Sequence, residues 1–278
     1  NSMQLPTDLR EFLKRYSLLV FLVRFSRRVL QVPIRLFRGI LSAFYELFSK
    51  RYHLITRNEA TYFGDFVATT HYVQFLHDPK FMRSYHKAFE GIPKHVKNPI
   101  WDLDISWRVH ICTWAATQAL KLEGDFVECG VWYGILSKAM CEYVDFDKVN
   151  RNFYLFDTWG KMPGSHPHEN YQADIYEDVK NRFSKYKNVR LSRGLVPAVF
   201  DTVKIEKIAY LGIDMNGSIA ERATLERFYE KVVPGGVIYF DDYGWGYPGL
   251  VKTVDEFFKD KPETLLHFPS GNSIVVKL

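Results

Sequence analysis

Cysteine is scarce in this chain: Cys112, Cys129 and Cys141 are the only three among 278 residues. They are too few and too odd in number for a disulfide framework, which points to reduced thiols and a cytoplasmic setting. Also missing is any run of about 18 or more apolar residues, the length a spanning helix needs. The longest such run near the start, Leu18 to Val23, is enclosed by Arg15 and Arg24. That segment has no small-residue cleavage site and follows acidic residues, so no signal peptide is expected, and Asn1-Ser2 ahead of Met3 reads as an addition before a natural start. No repeat and no low-complexity tract occurs, and the apolar content of 47% suits a folded chain with one large core or a core plus a small accessory region.

Excess positive charge is lacking over most of the chain. The net charge of +5 arises in residues 1–51, where ten Lys and Arg face Asp8, Glu11 and Glu46. That segment carries +7 and the remainder −2, which argues against a nucleic-acid groove across a catalytic domain. Two amphipathic helices are expected there, separated near Pro33. One presents Leu9, Phe12, Leu13, Tyr16, Leu19, Val20 and Val23; the other presents Ile34, Phe37, Ile40, Leu41, Phe44 and Phe48. Such faces suit peripheral contact of residues 8–51 with anionic lipid on the inner face of the membrane. They equally suit packing on their own domain or across a homo-oligomer interface.

Residues 52–100 read as an accessory region containing His71 and His77, and a catalytic domain is expected over 101–278. From Trp101 the pattern is helical, with Gly124 as a stop before the first strand. Strand and helix then alternate: strands at Phe126–Cys129, Phe153–Phe156, Val189–Leu191, Ile208–Ile213 and Val237–Phe240, and helices to about Tyr143, over Ile175–Tyr186, Ile219–Val232 and Leu250–Phe258. This alternation is that of a doubly wound α/β sheet. Thr264–Phe268 and Ser273–Val276, joined by Pro269-Ser-Gly-Asn272, add an antiparallel hairpin at the edge.

The richest stretch is Gly124 to Asp157. Asp125-Phe-Val-Glu-Cys-Gly-Val-Trp-Tyr-Gly134 reads as a buried strand turning at Gly130 into a helix that opens near Gly134, and Asn152-Phe-Tyr-Leu-Phe-Asp157 reads as a second strand ending in an acid. A helix N-terminus beside a strand-end carboxylate outlines a nucleoside site. The middle glycine of a dinucleotide fingerprint is absent, so close pyrophosphate approach is not provided. Glu128, read as an acid within the turn, favours the cationic sulfonium of S-adenosylmethionine over NAD. An ordinary strand-turn-helix corner is the plainer alternative.

Two later strands also end in acids, at Asp214 and at Asp241-Asp242. In an open α/β sheet these ends converge on the ligand crevice. Three crowded carboxylates without His or Cys partners favour Mg²⁺; helix capping by Asp214 and Asp242 is the alternative.

Together, Asp104-Ile-Ser-Trp-Arg-Val-His110, Gly124 to Trp132, Tyr154-Leu-Phe-Asp-Thr-Trp-Gly160, Gly212-Ile-Asp-Met-Asn216 and Pro234 to Gly244 resemble the macrocin/mycinamicin-type O-methyltransferases over roughly residues 81–278. The resemblance implies a Rossmann-like class I methyltransferase fold with a seven-stranded, mostly parallel sheet, carrying here an N-terminal helical extension. It implies S-adenosylmethionine and Mg²⁺ as cofactors and a sugar hydroxyl as acceptor. Glu128, Cys129, Gly130, Ser137, Asp157 and Thr158 then correspond to cofactor residues, with Asp157 on the ribose. Asp214, Asp241 and Asp242 correspond to metal ligands, and Arg108 reaches cofactor or substrate.

One departure concerns Asn216, where better-known members carry an acid thought to act as base; an amide cannot accept that proton. Candidate bases are His166 and His168 in a glycine- and proline-rich loop, Asp214 beside the metal, and more weakly Tyr243 and His267. The expected reaction is methyl transfer to a sugar whose vicinal hydroxyls chelate Mg²⁺, in a glycan, glycolipid or glycosylated metabolite. A catechol-type methyltransferase is a second possibility, although no lysine occurs in 215–219. A scaffold that has lost catalysis is a third, against which the three retained acids weigh.

Overall fold

The computed structural model describes residues 60–93, 104–160, 173–245 and 248–278. The expected helices of segment 1–51 and the histidines His166 and His168 lie outside the described residues. Within them, no helix is long and apolar enough to cross a membrane.

Strands β1 (Tyr62–Gly64) and β2 (Val67–Thr69) form a small antiparallel hairpin in which Gly64 pairs with Val67, leaving Asp65 and Phe66 as a two-residue turn. Both turn residues have positive φ, 48° and 60°, the geometry of the twisted turn that matches strand twist and is normally supplied by Asn and Gly. Helix α1 (Pro79–Phe89) follows, with the side chain of Asp78 accepting from Lys80 N and proline in its first turn. Tyr62, Phe75, Phe81 and Ala88 are buried in the same apolar cluster as the main sheet, so residues 60–93 build part of its core.

Helix α2 (Ser106–Ala119) leads into β3 (Asp125–Cys129). Gly124 does not stop this helix, which ends five residues earlier. Its φ is +120° and a side chain there would meet the Ile208 and Ala209 backbone at about 3.0 Å, so it lets β3 enter beside its neighbour. The alternation continues with α3 (Ile135–Tyr143), β4 (Phe153–Asp157), α4 (Tyr176–Arg182), β5 (Val189–Arg193), β6 (Ile208–Ile213), α5 (Ser218–Phe228), β7 (Val232–Phe240), α6 (Pro248–Phe258), β8 (Leu266–His267) and β9 (Ser273–Val276). The helix expected to reach Val232 stops at Phe228, and β7 starts at Val232 rather than Val237. A β-branched pair before Pro234 disfavours helix and favours extended backbone.

The main sheet has seven strands in the order β5-β4-β3-β6-β7-β9-β8, parallel except for the pairings made by β9. The order reverses between β3 and β6, the switch point where such sheets open a ligand crevice. Apolar side chains fill both faces. Phe126, Phe153 and Tyr210 lie on one face, towards α2 and α3, while Val127, Phe156, Leu211, Ile213 and Phe240 lie on the other with Leu225 and Phe228 of α5 and Val254 and Phe258 of α6. This two-sided burial explains why β6 is continuously apolar.

The register sets the ends level. Phe156, Cys129, Ile213 and Phe240 lie on one rung across four neighbouring strands. The next residues are therefore Asp157, Gly130, Asp214 and Asp241, laid side by side. Gly130 N donates to Phe156 O at 2.9 Å, Asp214 N to Cys129 O at 2.8 Å, and Asp241 N to Ile213 O at 3.0 Å. Gly130 has φ +82°, and a Cβ there would stand 1.7 Å from Asp214 O. Gly130→Ala is expected to cost at least about 2 kcal/mol, since the left-handed backbone alone disfavours a side chain by roughly 1–2 kcal/mol and the clash adds to it. Urea denaturation should show a lowered midpoint; an unchanged midpoint would contradict the close approach.

Candidate active site

The candidate site is built from the loops that follow this rung. Helix α3 opens at Gly134, whose φ is +69° and whose place is fixed because a Cβ would come within 2.6 Å of Phe183. Asp157 reaches back across the sheet. Its Oδ2 accepts from Val131 N at 2.6 Å and Trp132 N at 2.8 Å, and its Oδ1 from Trp159 N at 2.7 Å. One carboxylate thus ties together the loops after β3 and β4, and Trp159 adds an indole bond to Trp132 O at 2.9 Å. Trp132, Trp159 and Asn216, just beyond three strand ends, all have positive φ, 49°, 44° and 52°. Non-glycine residues held this way concentrate at ligand sites.

Glu128 lies in β3 itself and not in the turn. It faces the side of the sheet that carries Phe126 and is opposite Gly212 of β6, where a Cβ would come 3.3 Å from its Cγ. Burial, and then the charge of Asp241, push its carboxyl well above the ordinary range. Its Oε2 and the hydroxyl of Ser137 on α3 are buried near each other without a well-formed hydrogen bond, which marks a polar place beneath the turn. Cys129 contributes through its backbone carbonyl; its thiol is fully buried on the opposite face among the apolar side chains. Thr158 bonds the Gly160 carbonyl at 3.3 Å.

On the other side of Gly130 the three acids converge. Asp214, Asp241 and Asp242 each offer a carboxylate oxygen, and these oxygens lie within 4.8 Å of one another. None of them is in a capping position. Helix α5 is capped by Gly217 without a side-chain bond, and α6 begins six residues after Asp242. Burial followed by its acidic neighbours raises the Asp214 carboxyl strongly and pushes Asp242 up to about 7. Asp242 Oδ2 is buried without a partner. Like charges held this close call for a cation, and an all-oxygen donor set with an orphan oxygen fits a hard divalent ion.

Arg108 is engaged inside this cluster. Its Nη1 donates to Asp241 Oδ2, while Nε and Nη2 form a fork on Asp65 at 2.7 and 2.9 Å. Burial opposes the guanidinium's charge, and Asp241 and Asp65 more than reverse that. The second oxygen of Asp241 accepts from Tyr239 OH at 2.6 Å, which accepts from Asn272 Nδ2 at 2.9 Å. Among the remaining base candidates, the Tyr243 hydroxyl donates to Asp255 at 2.7 Å, and burial and that bond push it up to about 12. His267 packs edgewise on the Tyr243 ring at 5.4 Å.

Asp65, Tyr239, Asn272 and Glu221 were not singled out from sequence. Gly64-Asp65 is turn chemistry and gives only that signal. Ser218-x-x-Glu221 matches a helix-start box; instead Glu221 is 2% exposed, and burial with Asp242 and Asp241 nearby raises it to about 8.

The family described as Macrocin-O-methyltransferase (TylF) matches residues 109–264. The solved O-methyltransferase NovP is similar at 23% identity and TM-score 0.54, over 61% of this chain and 79% of that one. CalS11, a calicheamicin methyltransferase, is similar at 16% identity and TM-score 0.52, over 72% and 93%. Both likenesses bear on the fold. No curated protein matches.

Asp242 and Glu221 keep a proton in the folded protein up to about pH 7 and pH 8, whereas in an unfolded chain such groups release it near about pH 4. Folded protein therefore holds more protons in between, and stability is lost as pH rises through this window. The melting temperature without divalent cations should fall from about pH 5 to about pH 8.5, and Asp242→Asn should flatten the decline. A flat native profile would contradict these environments.

Proposed function

Because the chain belongs to the macrocin O-methyltransferase family and is an S-adenosylmethionine-dependent O-methyltransferase, we propose that it methylates a sugar hydroxyl with the help of Mg²⁺. The observation that carries the metal part is the meeting of Asp214, Asp241 and Asp242 beside the loop of Gly130, with one carboxylate oxygen left without a partner. Vicinal hydroxyls of a sugar suit a hard cation held by oxygen ligands.

S-adenosylmethionine supplies an electrophilic methyl group on a sulfonium. The chain's part is to hold it. The free amides at the start of α3 and the polar pair Glu128 and Ser137 line its place, and Asp157 keeps the loop amides in position while offering a remaining lone pair to a nucleoside hydroxyl. Mg²⁺ on Asp214, Asp241 and Asp242 would acidify an acceptor hydroxyl. Asp214 accepts the hydroxyl proton in this reading, since the amide of Asn216 cannot. His166 and His168 remain alternatives outside the described residues. Fixing both reactants in line accounts for much of the rate, because positioning alone contributes as much as roughly 7–11 kcal/mol in well-oriented reactions.

The acceptor we favour is a glycan or lipid-linked sugar close to a membrane, because residues 1–51 carry +7 and each basic residue near an anionic surface adds about 1 kcal/mol. Flotation with anionic liposomes should require that segment; unchanged flotation after its removal would end the anchor idea.

The reaction is tested with separate variants. Asp157→Asn should weaken S-adenosylmethionine binding in calorimetry at least about tenfold, the loss of one charge-assisted contact of about 1.5–3 kcal/mol. Asp242→Asn should leave that binding within about threefold and lower methyl transfer to sugar nucleotides or glycolipids by about 100-fold. Methylation of a catechol but of no sugar would overturn the acceptor assignment.

A further inference from the structure

The Asp65–Arg108–Asp241 chain joins the N-terminal hairpin to the acid cluster, and both Asp65 and Arg108 precede the segment that matches the family, 109–264. The Asp65 carboxylate is fully buried, and both its oxygens are taken by one guanidinium. A bidentate fork of this kind fixes the plane of the arginine. The guanidinium also lies over the Trp245 ring at 4.5 Å, and Phe66, the other turn residue, packs edgewise on the same ring at 5.2 Å. Its only free arm then points at Asp241 Oδ2.

The hairpin is itself pinned. Tyr62 OH donates to Asp104 O at 2.6 Å, and at Gly64 a side chain would meet Asp104 O at 2.6 Å, so the strand is pressed against the chain entering α2. The positive φ at both Asp65 and Phe66 is a backbone cost without an evident structural need, since Asn-Gly would make the same turn without it. Asp at the first position delivers a negative charge to Arg108.

That charge matters for the cluster. Were Arg108 paired with Asp241 alone, its whole positive charge would rest on one of the three acids and oppose a cation there. With Asp65 bound to two of its arms, most of the arginine's charge is already balanced, and it orients Asp241 while cancelling only part of that carboxylate's charge. Tyr239 holds the other oxygen, so Asp241 is fixed from both sides.

We propose that Asp65 is a positioning residue of the active centre: through Arg108 it orients Asp241 and preserves that carboxylate's charge for a divalent cation. The inference rests on the cation reading given above. Its test is Mn²⁺ binding, followed by the electron paramagnetic resonance of the free ion, on the full chain, Asp65→Asn and Asp242→Asn. Asparagine accepts the left-handed turn readily, so Asp65→Asn removes the charge with little strain.

Wild type should bind one Mn²⁺ that Asp242→Asn loses. Asp65→Asn should bind it about tenfold or more weakly, the effect typical of groups behind metal ligands, with S-adenosylmethionine affinity unchanged and kcat lowered more than the donor's KM is raised. Should Asp65→Asn fold poorly, Arg108→Lys, which keeps the charge and cannot form the fork, should weaken Mn²⁺ to a similar extent. Equal Mn²⁺ affinity in wild type and these variants would overturn the proposal while leaving the cation reading intact. No Mn²⁺ binding by wild type would remove both.

Discussion

The molecule depends on one hydrogen-bonded rung. Phe156, Cys129, Ile213 and Phe240 are in register across four strands, and the four residues that follow are an acid, a glycine and two more acids. Parallel pairing and close packing on both faces fix this alignment, because a slip by one residue would exchange the side chains fitted to the helices on each face. The two-sided apolar core therefore specifies the position of polar chemistry that it does not touch. Gly130 is the hinge of the arrangement: its missing side chain lets the Asp214 backbone close in, and the Asp157 loop and the three-acid cluster become neighbours on its two sides.

The polar groups past that rung are stabilised in two contrasting ways. Asp157 is satisfied by three backbone amides and makes its loops rigid. Asp214, Asp242 and Glu221 are crowded and raised by burial and mutual repulsion. The first arrangement adds stability to the fold, and the second costs stability unless a cation or proton is supplied. A site that crowds acids in this way can spend the relief of their repulsion on binding, which is how strain and function coincide in folded proteins. Arg108 offsets part of the repulsion permanently. Its burial is tolerated because three arms find carboxylate oxygens, in keeping with the need to pair any charge removed from water.

The N-terminal hairpin is a two-stranded sheet of its own beside the seven-stranded one. Its Tyr62 and Val67 share the core with α2 and the sheet, and its turn carries a carboxylate to Arg108, which in turn reaches the acid cluster. At the opposite end of the chain, Ser270 and Asn272 extend the same network to Tyr239. The centre is thus enclosed by residues from both flanks of the matched segment, and changes there reach the acids without altering the strand-end motifs.

Much of this was legible in the sequence. Short apolar runs ending in Asp157, Asp214 and Asp241-Asp242 announced parallel strands and the face on which their ends meet, because buried strands are locally encoded in hydrophobicity and a strand-end acid needs a ligand or a cap. The motif resemblance supplied the reaction and cofactor class. Tertiary structure decided the rest. That Glu128 sits within a strand beneath the turn, that Gly124 serves the entry of β3 rather than the end of α2, that Ser218 does not cap α5, and that Arg108 serves Asp241 and Asp65 are all facts of long-range contact. Asp65 and Arg108 are 43 positions apart and Arg108 and Asp241 are 133 apart. No local pattern records such pairs: the energy that selects them comes from removing charges from water together, and that condition exists only once the chain has folded.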